Sequence, residues 1–445
     1  MKLNNLEYFI FLDSELNTLY KGERFIHKKD FETRQANASV FMPDPITSAN
    51  ASYGGNYIHN SGKSNPALEA QQFDVKIDCK YENGIYYLEN EYIKIADMFS
   101  PYWSVVKSTD GNFYYNRSQT GFQQVNAFYH LSEMKKQLQE YGFNDAVNYQ
   151  IRVDADGARG IDNSFFHPHD YERGEDESAS TLEFGAYVSS SAYDHVPDAE
   201  DAEVLIHEYT HAIINSYARE RISMERMCLE EALADYIAVS YATAINPYNW
   251  EKVFKWDAHN EYWEGRYAIS NKCYTNLYFS NNRDHIDIWL APLMDLYFEI
   301  GREETDKLVL HSLVALDANT TMNQAAKIIL AMDNIYNFSR YSQQIYKAFN
   351  KYCILNEEDL NFESIKNYKV LNSENFTRGS FLTLKFNKLS SGNVKIYNLS
   401  GQEIESFDYK ETYFINIDSK NLNKGIFLVK IQNLLFEDTF KVVKL

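Results

Sequence analysis

The stretch 202–215 constrains this chain more than any other. It reads Ala-Glu-Val-Leu-Ile-His-Glu-Tyr-Thr-His-Ala-Ile-Ile-Asn and holds neither Gly nor Pro. Good helix formers in an apolar setting make it a buried helix. His207 and His211 stand at i and i+4, so they project from one face, one turn apart. Two imidazoles at that spacing can bind one zinc ion at tetrahedral angles. Glu208 is rotated off the ligand pair, where it can take a proton from a metal-bound water. The competing reading is a helix whose histidines make ordinary polar contacts. Val204, Leu205, Ile206, Ile213 and Ile214 weigh against it. Buried histidines beside a buried glutamate need partners, and a cation is the simplest one.

A tetrahedral site needs a third protein ligand. Residues 227–238, Met-Cys-Leu-Glu-Glu-Ala-Leu-Ala-Asp-Tyr-Ile-Ala, read as a second buried helix. Glu231 and Asp235 share one face of it at i and i+4. Glu231 is the expected third ligand, and Asp235 the expected acceptor for the second nitrogen of a metal-bound histidine. Glu230 competes as ligand. Ala234, four residues after it, cannot support a histidine, so Glu230 is expected on the solvated surface.

His207-Glu208-x-x-His211, followed by Glu231-x-x-x-Asp235, resembles the gluzincin metallopeptidases of thermolysin and fungalysin type. The acidic lead-in 198–204 and the segments 160–164, 288–292, 306–310, 319–322 and 325–333 are similar to fungalysin-like members. The resemblance covers about residues 41–353. It implies an α+β metallopeptidase, β-rich over 41–200 and helical over 201–360, with zinc in the cleft between. Short strands near 162–166 and 181–185 would wall the cleft and hold a peptide through backbone hydrogen bonds. Asn163 would touch substrate there, although an asparagine in a loop also reads as a turn residue. His285, just before a helix, would stabilise the oxyanion. A structural histidine at a helix start is the alternative. Ile222 falls where the family has an assisting tyrosine, with Tyr217 nearby.

At 445 residues the chain has room for two or three domains. A formal net charge of −20 sets nucleic acids and anionic membrane surfaces aside as partners. No apolar run reaches the length of a transmembrane helix. The four cysteines lie far apart and make neither a disulfide framework nor a second zinc site. A single bridge stays open. Tyr8–Leu12 is too short and too acidic at its flanks for a signal peptide. Residues 1–40 read as a strand pair and loop, either an N-terminal extension or the end of an inhibitory propeptide.

Between Phe41 and Pro66 the composition is that of a loop. Strands follow from Phe73, with a hairpin turn at Asn83-Gly84. Gln123–Tyr141 reads as an amphipathic helix and Tyr149–Val153 as a strand. The carboxylates of Glu172–Glu177 are of the type that binds Ca2+, against the bland reading of a solvated charge run. Tyr248–Asn282 is aromatic and irregular and should shape the substrate pocket. Successive helices are expected from Ile286 to Cys353, the second capped by Thr305. After a polar linker at Leu371–Arg378, Phe381–Leu445 reads as a small all-β sandwich. Its segments 394–403, 424–431 and 441–445 resemble the sorting domain of the type IX secretion system of Bacteroidetes-type bacteria. A surface-binding β-module is the competing reading.

These readings combine into one expectation. It is a secreted or cell-surface zinc endopeptidase that cleaves protein or peptide substrates and is exported by type IX machinery. Such export starts with an N-terminal signal that this chain does not show, so either the true start is upstream, which is the expectation, or the domain is vestigial. The competing class is a non-catalytic surface-binding or adhesive protein with a vestigial metallopeptidase fold. The intact Glu208 weighs against it, since a binding protein has no use for a general base.

Overall fold

The computed structural model describes residues 6–12, 18–25, 31–169, 179–185, 188–189, 192–193, 195–281, 283–337, 339–360, 368–371, 381–398, 401–418, 422, 425–433 and 437–444. The chain divides into two compact units, 1–271 with 278–298 and 272–277 with 299–445. The loop Glu172–Glu177, considered for calcium, lies outside the described residues.

The first unit begins with an antiparallel pair, β1 (Leu6–Leu12) and β2 (Thr18–Phe25). Next come β3 (Glu32–Phe41), the short helices α1 (Pro45–Ala49) and α2 (Pro66–Glu69), and β4 (Gln72–Glu82). They are followed by β5 (Ile85–Tyr87), β6 (Ile93–Ile95), β7 (Lys107–Ser108) and β8 (Asn112–Phe113). The Asn83-Gly84 turn between β4 and β5 has φ of 53° and 81°, the left-handed pair that a two-residue hairpin requires. One sheet runs β7-β5-β4-β3-β8. Ile77 and Cys79 of β4 are buried, whereas Phe73, at the start of the same alternation, is 45% exposed.

Helix α3 (Gly121–Glu140) buries Phe122, Val125, Phe128, Leu131 and Leu138, the periodic apolar positions of its sequence. Its Asn126 accepts from Phe41 N at 3.1 Å and donates to Ala199 O at 2.8 Å, tying β3 to the approach of the histidine helix. Strands β9 (Ile151–Asp154), β10 (Phe165–His167) and β11 (Thr181–Glu183) join β6 in the order β10-β11-β9-β6. Strand β10 therefore stands at the sheet edge. Two small pairs follow, β12 (Val188–Ser189) with β13 (Ala192–Tyr193), and β14 (Lys252–Val253) with β15 (Arg266–Tyr267). Between these pairs lie α4 (Ala202–Asn215) and α5 (Met224–Ile245). Most of α6 (Ile286–Ile300) completes the unit.

The second unit contains α7 (Arg302–Ser312), α8 (Met322–Asn337) and α9 (Ser342–Lys351). Thr305 does not cap α7. The helix starts at Arg302 after Gly301, whose φ of 97° suits glycine. The Thr305 hydroxyl instead bonds back to Gly301 O at 2.9 Å. Cys273 and Cys353 form a disulfide. Strands β16 (Tyr368–Leu371), β17 (Phe381–Asn398), β18 (Glu403–Asp418), β19 (Gly425–Asn433) and β20 (Glu437–Lys444) make the expected all-β region. They bond as one five-stranded sheet rather than the two separate sheets of a sandwich. The long β17 is the reason. It carries β18 along one edge, and β16 and then β19 along the other, with register shifts around Ser390. Leu382, Leu384, Phe386, Val394, Ile396, Ile417, Val429 and Ile431 give this sheet its own apolar core.

Candidate metal centre

Each acid of the lead-in to α4 has a bonding role. Asp198 accepts from Ser164 Oγ at 2.6 Å. Glu200 accepts from Arg117, Gln123 and Trp256 at 2.9, 2.8 and 3.1 Å. Asp201 caps α4 by accepting from Glu203 N, and its other oxygen takes Trp256 N. Glu203 pairs with Lys255, both fully buried. Glu200, Asp201 and Glu203 thus fix the start of α4 against segment 253–257, and ion pairs with Arg117 and Lys255 satisfy the charges of Glu200 and Glu203 that burial would otherwise penalise.

With α4 so held, all of its residues from Ala202 to Ile214 are buried. His207 Nε2 and His211 Nε2 converge to 3.3 Å. Two nitrogens bound to one zinc at about 2.0–2.1 Å with tetrahedral angles lie about 3.3–3.4 Å apart. Glu231 brings its oxygens to 3.7 Å from His207 Nε2 and 4.0 Å from His211 Nε2. Glu208 Oε1 lies 4.0 Å from His207 Nε2. Two imidazoles and one carboxylate meet here with a second carboxylate alongside, and that donor set and spacing fit a zinc ion.

Helix α5 runs antiparallel to α4 and supports the far side of both rings. Asp235 Oδ1 lies 2.8 Å from His207 Nδ1. Glu230 does not lie on a solvated surface: it is buried, with Oε1 3.1 Å from His211 Nδ1. Arg226, one turn earlier on α5, bonds Glu230 at 3.2 Å, and Arg221 bonds it from the loop between the helices. That pairing lets a carboxylate be buried here, and Arg226 at i−4 was the sequence signal for it. Arg266 on β15 plays the same part for Asp235, at 2.8 and 3.0 Å. Burial works to raise the Asp235 carboxyl, but Arg266 and His207 outweigh it and hold it below its ordinary value. Glu230 is likewise lowered, as His211 and the two arginines overcome burial. Burial opposes charge on His211, yet the Glu230 bond and the fields of Glu208 and Glu231 push it up to about 9. The space between these groups favours positive charge.

The centre opens on a cleft of ≈ 510 Å³. Asn163, Phe165 and Phe166 line it at the β10 edge, and Phe254, Asp257, Tyr262, Trp263 and Arg266 line it from the aromatic segment. Asn163 Oδ1 accepts from Ser164 N at 3.0 Å. His285 is not among the lining residues; Arg283 is. His285 takes a φ of 60° before α6, and its ring packs edge-on to Phe279 at 5.6 Å. Ile222 is 66% exposed and does not line the cleft. Carboxylate oxygens of Asp162, Asp198 and Asp257 gather within 4.8 Å at the cleft wall. Burial first, and then the neighbouring acids, raise Asp198 and Asp257 well above the usual carboxylate range.

Residues 360–444 match the family described as the secretion system C-terminal sorting domain. The chain carries a secretion sorting domain. That domain supports a secreted or cell-surface protein and implies the secretion machinery as a partner. Among the described residues no helix is long and apolar enough to cross a membrane. No curated protein matches the chain. Among solved structures it is similar to the precursor of protealysin, a metalloproteinase from Serratia proteamaculans. Identity is 12%, the match covers 52% of this chain and 79% of that one, and the TM-score is 0.42.

Proposed function

We propose that this chain is a secreted zinc-dependent endopeptidase of gluzincin type. The observation that carries the reading is the convergence of His207, His211 and Glu231 on one point, with Glu208 beside it. The three converging residues would hold the metal. A zinc ion held there would supply Lewis acidity for the scissile carbonyl and for a water.

The chain's own residues do the rest. Glu208 takes the proton of the attacking water and passes it to the leaving amine. Asp235 and Glu230 keep each imidazole in the tautomer that offers Nε2 inward. The open edge of β10 supplies backbone groups to an extended peptide, and Asn163, which lines the cleft beside it, contacts that peptide. Arg266 is anchored on Asp235, with Nη2 3.9 Å from Glu231. Its charge stabilises the oxyanion that develops on the substrate carbonyl. The sorting domain takes the enzyme out of the cell through the type IX machinery. The Cys273–Cys353 disulfide is consistent with life outside the reducing cytoplasm.

The test pairs zinc content with casein cleavage. The purified chain should hold one zinc and cleave casein, and both should vanish with a chelator and return with zinc. A zinc-loaded chain that leaves casein and a peptide library intact would overturn the proposal.

A further inference from the structure

Charge pairing separates the arginines of the cleft. Arg266 is committed to Asp235, and Arg221 to Glu230. Arg283 lines the same cleft, is exposed, and makes no ion pair or side-chain hydrogen bond among the described residues. Its neighbour Asp284 does not neutralise it. Both Asp284 oxygens are taken within their own turn, by Ser280 N, Ser280 Oγ, Asn281 N and Asn281 Nδ2 at 2.6–3.0 Å.

The antiparallel packing of the helices places these groups. His207 faces Asp235 and His211 faces Glu230, so residues before Glu230 on α5 lie beyond the His211 end of α4. Arg221 reaches Glu230 from that end. Cys228 Sγ donates to Asn281 O at 2.9 Å, which puts the Arg283 turn there too. The cleft's acids lie elsewhere, since Asp198 precedes α4 and draws Asp162 and Asp257 around it. The cleft thus has a carboxylate-rich end and an arginine-rich end, with the metal ligands between.

Resting on the peptidase reading, we infer that Arg283 forms a substrate subsite for a carboxylate next to the scissile bond. A guanidinium with free donors takes a carboxylate through two parallel charge-assisted bonds, and a neutral isostere loses that geometry. Two groups have this chemistry: the side chain of Asp or Glu, and the free C-terminus of a peptide.

The experiment uses two peptide series on the zinc-loaded chain. One varies Glu, Gln and Lys at each position flanking the cleaved bond. The other compares a free C-terminus with its amide. A charge-assisted pair predicts about a tenfold preference in kcat/KM for the carboxylate member of one series. The series that responds identifies the source. Arg283→Gln should erase the preference, Arg283→Lys keep part of it, and Arg283→Glu turn it toward Lys. Binding of the same peptides to the Glu208→Gln chain reads the subsite without hydrolysis. Equal binding of charged and neutral members there, or a preference that survives Arg283→Gln, overturns the subsite. A carboxylate preference in binding without cleavage by the parent supports the subsite and overturns the peptidase reading.

Discussion

Glu230 Oε1 lies 3.1 Å from His211 Nδ1, and Arg226 and Arg221 hold that carboxylate in place. The same device recurs one turn along α4, where Arg266 holds Asp235 against His207. Each imidazole is thus oriented through its outer nitrogen by an anion that is itself paired. Glu230→Gln and Asp235→Asn should each weaken zinc binding by about 10–100-fold, read by competition with a chromogenic chelator. The two losses should be similar. Unchanged zinc affinity in Glu230→Gln would reduce that residue to an ion-pair partner of Arg226.

Removing a direct ligand should do more. His207→Ala, His211→Ala and Glu231→Ala should each lose zinc after dialysis, because three donors are the minimum for a catalytic site of this kind. Stoichiometric metal in dialysed Glu231→Ala would show that another group completes the site, and Glu208 is the nearest alternative.

Glu208→Gln separates metal from chemistry. The substitution keeps size and hydrogen bonding but cannot accept a proton, so zinc content should hold while peptide hydrolysis falls by several orders of magnitude. Activity within about tenfold of the parent would remove Glu208 from the proton transfer.

Helical periodicity explains what the sequence made legible. His207, His211, Glu231 and Asp235 declare their faces by spacing alone, and the apolar residues between them declare burial. The same logic places α3 within a few residues. Glu230 escaped it because two of its three partners, Arg221 in a loop and His211 on another helix, are tertiary, and Arg226 at i−4 was its one local signal. Arg266 and Arg283 carry no local signature, since one lies on a two-residue strand and the other in a turn before α6, and neither has a helical spacing to declare its face. Thr305 misled for a different reason. A β-hydroxyl in a first turn can bond backward as well as cap, and only the φ of Gly301 decides between the two.

His130 offers a test of stability away from the metal. It is fully buried, with Nε2 donating to Phe41 O and Nδ1 accepting from Tyr241 OH, both at 2.9 Å. Burial lowers its pKa from 6.5 to about 4, against a smaller opposing effect of the Phe41 carbonyl. The unfolded chain takes up this proton below about 6.5 and the folded chain only near 4. The contribution is therefore complete above the higher value and is lost as pH falls through the interval, by up to roughly 3 kcal/mol. His130→Gln should flatten the fall in unfolding free energy between pH 7 and pH 4.5 relative to the parent. Comparing slopes cancels the buried carboxylates, which titrate in both proteins. Parallel slopes would mean that His130 takes up its proton alike in the folded and the unfolded chain.

The sorting domain should be dispensable for catalysis and required for export. Every residue that lines the cleft belongs to the unit formed by 1–271 and 278–298, whereas the matched segment 360–444 lies in the other. The sheet β16–β20 carries its own apolar core, and none of the proposed metal or proton-transfer groups lies on it. A chain ending after Leu360 keeps Cys353 and its disulfide, so the truncation removes no covalent tie to Cys273. Its casein activity in solution should match that of the full chain. Supplied with an N-terminal signal in a Bacteroidetes-type host, the full chain should reach the surface or the medium, and the truncated chain should stop in the periplasm. A truncated enzyme that still reaches the medium but loses affinity for its substrate would make the β-sheet region a binding module instead.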